Sequence, residues 1–379
     1  MKKRRVFAAC AWILSCVFCA GCAGFGIIGG SNSKMKTPIK IIAPEGEVFP
    51  YIDDAKLYLL APEDMNNVGG YCAAFGACPN PNKAITLEWE CDEKKNITSI
   101  TLEYGLKNDK NPIKVTLPGD ARTYDLYNLY KASEYVWSVT AQAENGKKWT
   151  VKSNFTTTDL GPRVMKVDGI YNVRDVGGYM TDEGKRTVQG LLYRGGALAP
   201  ADVYDSQLTP EGALVMLEVM GIKTELDVRG KGAESGDVDK SPIPGADLEY
   251  IPISGYSDCF TLQENYRQVF SLLADRSKYP VYFHCTGGAD RTGTVAFLVN
   301  ALLGVSEKDL IQDYEFTSFS IYGERNAQRG NFSDYFVPFR KKLETYTGDT
   351  LKEKVESYMR SIGVTEQEIA NIRAIMLGE

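Results

Sequence analysis

Cys285 and Arg291 stand six residues apart in the string His284-Cys285-Thr286-Gly287-Gly288-Ala289-Asp290-Arg291-Thr292-Gly293. A thiol becomes a nucleophile at neutral pH when nearby positive charge lowers its pKa. A glycine-bearing loop supplies that charge, because its backbone N–H groups converge on one point and the helix that follows adds its N-terminal dipole. A dianionic phosphate fits the same point. The planar fork of Arg291 matches two phosphate oxygens. The spacing therefore predicts phosphate held by Thr286, Gly287, Gly288, Ala289, Asp290 and Arg291. Cys285 would then attack phosphorus in line, with Arg291 and the loop amides stabilising the equatorial oxygens. Thr292 either donates a hydrogen bond to the departing thiolate or is simply a helix-start hydroxyl. His284 is the one histidine of the 379-residue chain, which excludes a three-histidine zinc site, an HExxH protease and paired-histidine phosphoryl transfer. Its expected task is to orient the loop by hydrogen bonds to backbone.

Such a loop needs a strand to end at the cysteine and a helix to begin near the arginine. Val281-Tyr282-Phe283 is a short apolar run suited to a buried parallel strand. Val295, Leu298 and Leu302 give the following segment a helical period up to Gly304. Thr224–Val228 and Leu248–Ile253 read as further strands. Thr209 is a candidate N-cap with Pro210 in the first turn, and Thr261–Ser277 reads as a helix. Beyond residue 305 the pattern is helical, with Ser306, Ser333 and Thr365 as N-caps. The expectation for residues 163–379 is an α/β domain. Its mostly parallel central sheet is flanked by helices, and its C-terminal part is helical.

The Cys285–Arg291 string resembles the CX5R loop of the protein tyrosine phosphatase superfamily. Asn172-Val173-Arg174-Asp175-Val176-Gly177-Gly178-Tyr179, Leu192-Tyr193-Arg194-Gly195-Gly196-Ala197-Leu198, Asp227-Val228-Arg229 and Asp313-Tyr314 resemble, in order, segments of a bacterial family of tyrosine and lipid phosphatases. The resemblance spans about residues 165–320. It implies a phosphomonoesterase with a cysteinyl-phosphate intermediate, no metal and no cofactor. Its substrate would be a phosphorylated protein or a small phosphoester, and Arg174, Asp175, Asp227 and Arg229 would be supporting residues. Three carboxylates compete as general acid. Asp290, inside the loop, is favoured by the resemblance. Asp258 lies 27 residues before Cys285, where tyrosine phosphatases often carry the acid on a mobile loop. Asp227 stands at a strand end and has Arg229 or Arg174 as alternative partners. Many family members carry lysine where this chain has Ala289. Losing that cation disfavours polyphosphorylated ligands, and Tyr179, Tyr256 and Phe260 are candidates for apolar walls around a phosphotyrosine ring. The expected function is protein-tyrosine or dual-specificity phosphatase. The alternative within the same chemistry is a phosphoinositide or inositol phosphate phosphatase. A non-catalytic surface adhesin or phospho-ligand binder is the reading from another class; the intact Cys285 and Arg291 argue against it. A CX5R sulfur transferase or arsenate reductase stands further away.

The other segments set the context. Lys2 to Arg5 and the apolar run Val6–Phe18 have the form of a signal peptide, too short to span a bilayer as a helix. Cys19-Ala20-Gly21-Cys22 resembles a lipobox, so residues 1–22 are expected to be a lipoprotein leader with Cys22 lipidated. Residues 23–37 would form a flexible tether. The protein would then be exported and held on the outer face of the bacterial cell membrane. Net charge is −6, and loss of the four leader cations takes it to −10, which disfavours nucleic acid as a partner. Residues 38–158 read as strands. Leu87, Trp89 and Cys91 alternate with polar residues, as do Ile100, Leu102 and Tyr104, and Tyr135, Trp137, Val139 and Ala141. Leu129, the run from Tyr135 to Val139 and Phe155-Thr156-Thr157 resemble a fibronectin type III sandwich, which implies a spacer or binding module. Cys72 and Cys78 flank a short loop and are candidates for pairing. Pro162 sits in an expected linker.

Overall fold

The computed structural model describes residues 37–379, apart from 62–66, 74–75, 77–79, 200–205, 231, 233–237 and 331. The leader, Cys22, most of the expected tether and Cys78 lie outside the described residues.

The N-terminal part is an all-β sandwich. Its strands are β1 (Ile39–Ala43), β2 (Gly46–Val48), β3 (Ile85–Cys91), β4 (Ile97–Leu106), β5 (Ile113–Pro118), β6 (Thr123–Leu126), β7 (Glu134–Ala143) and β8 (Lys148–Thr157). One sheet has the order β1-β3-β6 and the other β2-β8-β7-β4-β5. The period-2 pattern is realised strand by strand. Ile85, Leu87, Trp89 and Cys91 are buried and the residues between them exposed. On β7, Tyr135, Trp137, Val139 and Ala141 point inward, and Tyr135 stacks on Phe155 of β8 with centroids 5.3 Å apart.

The second unit holds the loop. It comprises residues 157–379 together with 47–85 and 126–133, so two stretches inside the range read as β-module belong to it. The first brings α1 (Asp53–Leu60), whose Tyr58 and Leu59 share a buried cluster with Tyr51, Val164, Phe316 and Phe319. Pro162 is no exposed linker: residues 161–165 are buried, and the Tyr51 hydroxyl donates to the carbonyls of Leu160 and Pro162, each at 2.8 Å.

The sheet of this unit is built from β9 (Arg174–Asp175), β10 (Leu192–Gly195), β11 (Thr224–Asp227), β12 (Asp247–Tyr250) and β13 (Val281–His284), in the order β12-β11-β13-β10-β9. All pairs are parallel except the short β9 edge. β13 is central and buried throughout. Val281 and Phe283 enter one hydrophobic cluster and Tyr282 the other, so both faces of the strand are covered and its sequence reads as a continuous apolar run. β12 ends at Tyr250, short of the expected Ile253, although the Ile251 and Ile253 amides still donate to the Asp227 and Val228 carbonyls at 3.2 and 3.0 Å.

The helices are α2 (Pro210–Leu214), α3 (Gln263–Leu273), α4 (Arg291–Leu302), α5 (Glu307–Glu315), α6 (Ser333–Leu343), α7 (Leu351–Ser361) and α8 (Glu366–Leu377). Thr209 caps α2, Ser306 caps α5 and Thr365 closes a capping box with Glu368. Ser333 is instead the first helical residue of α6, after Phe332. Eleven of the twelve residues of α4 are buried, so the helix that follows the loop is fixed on all sides.

Candidate active site

The Cys285–Asp290 loop joins the C-terminal end of β13 to the N-terminus of α4, in the crevice beyond the carboxyl ends of parallel strands where ligands bind to open α/β sheets. Four of its carbonyls are held by groups from other segments. Thr286 O accepts from the Ala197 amide at 3.0 Å. Gly287 O accepts from Asn172 Nδ2 at 3.0 Å. Gly288 O and Ala289 O accept from Arg194 Nη2 at 2.7 and 3.2 Å. Carbonyls bound in this manner are compatible with amides that turn toward the centre of the loop, the arrangement that a phosphate cradle requires. Gly288 is needed for two reasons. Its φ is +64°, and a Cβ there would lie 2.2 Å from the Gly195 carbonyl oxygen.

The groups that hold the carbonyls are themselves held by one carboxylate. Asp313 of α5 pairs with Arg174 Nε at 2.9 Å and with Arg194 Nη1 at 2.5 Å. Burial opposes its charge, but the two guanidinium groups outweigh burial and lower its pKa. Arg194 is pushed down to about 10 by burial and by Arg174 beside it. Arg174 also binds the Asn172 side chain and Thr317 Oγ1. Asp175, buried, pairs with Arg163 at 2.9 Å and accepts the Gly177 and Gly190 amides. The segments 172–179 and 192–198 thus bring Asn172, Arg174 and Arg194 to the loop and to Asp313.

Cys285 is buried. Burial opposes the thiolate, yet the Arg291 charge, the Thr292 hydroxyl and the Thr292 amide together hold its pKa below the usual thiol value. The Thr292 hydroxyl is buried and meets no hydrogen-bond partner of standard geometry among the described residues, but it stands close enough to Cys285 to favour the thiolate. Arg291 Nη2 donates to Thr286 Oγ1 at 3.1 Å, which swings the fork toward the loop.

His284 is fully buried between two acceptors, with Nε2 2.9 Å from Glu225 Oε1 and Nδ1 3.2 Å from the Cys285 carbonyl. Both nitrogens face oxygen, an arrangement suited to the doubly protonated ring. Burial opposes that charge, but Asp227 and Glu225 raise the histidine's pKa. The expected backbone contact is present. The carboxylate partner Glu225, on the neighbouring strand, was not foreseen.

The three candidate acids fall in different places. Asp290 sits in the loop with its side chain about one-third exposed, and its charge acts on Cys285. Tyr256 Oη and Arg325 Nε (3.2 Å) both donate to its Oδ1. Asp258 is exposed on a 3-10 turn, Tyr256–Phe260, where its charge reaches Cys259 and Tyr266. Asp227 is buried at the end of β11 and bound to Arg229, with Nη2 at 2.8 Å and the Arg229 amide at 2.9 Å. Of the expected walls, Tyr179 is buried with its hydroxyl on Asp313, and Phe260 packs among Phe339, Tyr346 and Tyr358. Tyr256 lies beside the loop, and the exposed Tyr335 stacks on it at 5.8 Å.

A sequence model described as tyrosine phosphatase family matches residues 165–378. Among curated proteins, one of Cupriavidus necator assigned as a tyrosine-protein phosphatase is 28% identical over 44% of this chain and 66% of its own length. A tyrosine-protein phosphatase of Nostoc commune is 28% identical over 34% of this chain and 48% of its own. The chain therefore spans less than two thirds of these relatives. Among solved structures, the core catalytic domain of the PP-IP phosphatase SIW14 from S. cerevisiae matches 51% of this chain and 94% of its own at 16% identity, with a TM-score of 0.31.

Proposed function

Because the chain belongs to the tyrosine phosphatase family, we propose that it is a phosphomonoesterase that works through a cysteinyl-phosphate and acts on phosphotyrosine in proteins. The observation that carries this reading is the cradle itself, in which carbonyls bound by other segments surround a buried cysteine whose pKa is lowered. In the first step the Cys285 sulfur bonds to phosphorus and the P–O bond to the leaving group breaks. The leaving oxygen takes a proton from Asp290. The Arg291 fork and the loop amides hold the equatorial oxygens. In the second step water attacks phosphorus and gives a proton to Asp290. The S–P bond breaks, and Thr292 and Arg291 receive the thiolate.

The Tyr256–Tyr335 stack beside Asp290 favours an aromatic leaving group, since its outer face is exposed. One observation favours a second reading, phosphoinositides or inositol phosphates. Arg325 places a cation beside the loop, so the absence of a lysine at Ala289 does not leave the region without positive charge. A panel of phosphotyrosine peptide, phosphoserine peptide, phosphoinositide and inositol hexakisphosphate separates the readings. The phosphotyrosine peptide is expected to give the highest kcat/KM; a tenfold preference for a phosphoinositide would replace the first reading by the second.

The β-sandwich is read as a fibronectin-like spacer. The residues of the leader support export with a lipid on Cys22, which would place the domain at the outer face of the cell membrane.

A further inference from the structure

The segment expected to bring an acid on Asp258 brings a hydroxyl instead. Tyr256 has a φ of +56°, a left-handed conformation that costs a bulky residue free energy and clusters at functional sites. Its amide donates to Thr294 Oγ1 at 2.7 Å, and that hydroxyl donates to the Asp290 carbonyl at 2.9 Å. The turn is thereby tied to the start of α4. The Tyr256 hydroxyl donates to Asp290 Oδ1, so the Tyr314 hydroxyl, 2.9 Å away, must donate to Tyr256. Arg325 Nε reaches the same Oδ1 at 3.2 Å. Its Nη1 donates to Tyr322 O at 3.0 Å, its amide donates to Ser318 Oγ at 2.8 Å, and its guanidinium carbon lies 3.5 Å from the centre of the Phe332 ring. Among the described residues, no hydrogen bond reaches Asp290 Oδ2.

We propose that Tyr256 and Arg325 are positioning residues that clamp Oδ1 of Asp290, leaving Oδ2 as the oxygen that carries the proton to and from the reacting centre. The proposal rests on the reading of Asp290 as the acid. Oδ2 gives its proton to the leaving oxygen as the P–O bond breaks. The carboxylate left behind is stabilised at Oδ1 by the phenol and the guanidinium, with Tyr314 behind the phenol. Oδ2 then takes a proton from the water that attacks phosphorus as the S–P bond breaks. Two donors converging on one carboxylate oxygen fix the rotation of the group, which a transfer over hydrogen-bond distance demands.

The test is the dependence of kcat/KM on the leaving group, measured with phenyl phosphate, whose oxygen needs a proton, and with 2,4-dinitrophenyl phosphate, whose oxygen leaves without one. Asp290→Asn is expected to lose roughly 100-fold on phenyl phosphate and far less on the dinitrophenyl ester. Tyr256→Phe and Arg325→Gln are expected to show the same selective loss, about tenfold on phenyl phosphate, and Arg325→Lys is expected to recover part of it. Vanadate inhibition, which needs only the loop, reports that each variant is folded. Equal losses on both esters, or none, in both Tyr256→Phe and Arg325→Gln would overturn the clamp while Asp290 stands. A wild-type profile in Asp290→Asn would overturn the acid and the clamp together. Turnover by Cys285→Ser would remove the phosphatase reading itself.

Discussion

Arg194 binds Asp313 through one terminal nitrogen and two carbonyls of the Cys285–Asp290 loop through the other. A carboxylate on α5 thus holds the arginine that binds the loop's carbonyls, although it is 28 residues further along the chain than Cys285. The loop is thus held by a buried ion pair as well as by the backbone conformation of Gly288.

Replacing Asp313 by asparagine leaves Arg174 and Arg194 buried with no carboxylate between them. Breaking a buried pair by removing one partner costs about 3–5 kcal/mol. Asp313→Asn is therefore expected to lower the denaturant midpoint and to weaken vanadate binding together. A variant with wild-type stability and vanadate affinity would show that the loop keeps its shape without this carboxylate.

Thr292→Val removes the hydroxyl that faces the Cys285 sulfur. Loss of a donor to the thiolate raises the thiol's pKa, so alkylation of Cys285 by iodoacetamide should shift to higher pH. Breakdown of the phosphoenzyme should slow as well, because the departing thiolate is less stabilised. An unchanged alkylation profile would assign Thr292 to helix start alone.

Glu315 is buried, with the Tyr58 hydroxyl and the Ala327 amide on its oxygens. Burial pushes its pKa up from 4.5 to about 7, against both hydrogen bonds. The folded value lies above the unfolded one, so its contribution to stability is full below the unfolded value and is lost as pH rises through about 7. The amount is at most about 3 kcal/mol. Denaturation at pH 5 and pH 8 should show wild type losing more stability across that interval than Glu315→Gln. Equal losses would mean that Glu315 is solvated.

Expressed with its leader in a bacterium, the protein should partition with membranes, and Cys22→Ser should release it. Membrane retention of that variant would mean that the apolar run of the leader anchors the chain without a lipid.

The loop and its neighbours were legible because each rests on local signals. The apolar run before Cys285, the strand at Thr224, and the caps at Thr209, Ser306 and Thr365 all depend on residues a few positions apart. The Thr350–Glu353 capping box has the same local signature, and it opens α7. The segments at 172–179 and 192–198 were recognisable as motifs, but their task was not, since Arg174 meets Asp313 across 139 residues of sequence. Arg325 lies in an irregular stretch with no periodicity, and nothing in the residues around it pointed to Asp290. Residues 47–85 fall inside the range read as strands, although the alternating runs behind that reading begin only at Leu87, and Tyr51 and Tyr58 carry no local sign of what they pack against. Their partners, the Pro162 carbonyl and Glu315, appear only once the chain is folded.

The most direct test of the account is mass analysis of the protein quenched during turnover of a phosphotyrosine peptide. The account predicts one phosphoryl group on the fragment that contains Cys285 in the wild type, and neither a phosphoryl group nor phosphate release in Cys285→Ser. Phosphate release by Cys285→Ser at the wild-type rate, or a phosphoryl group on a different residue, would contradict it.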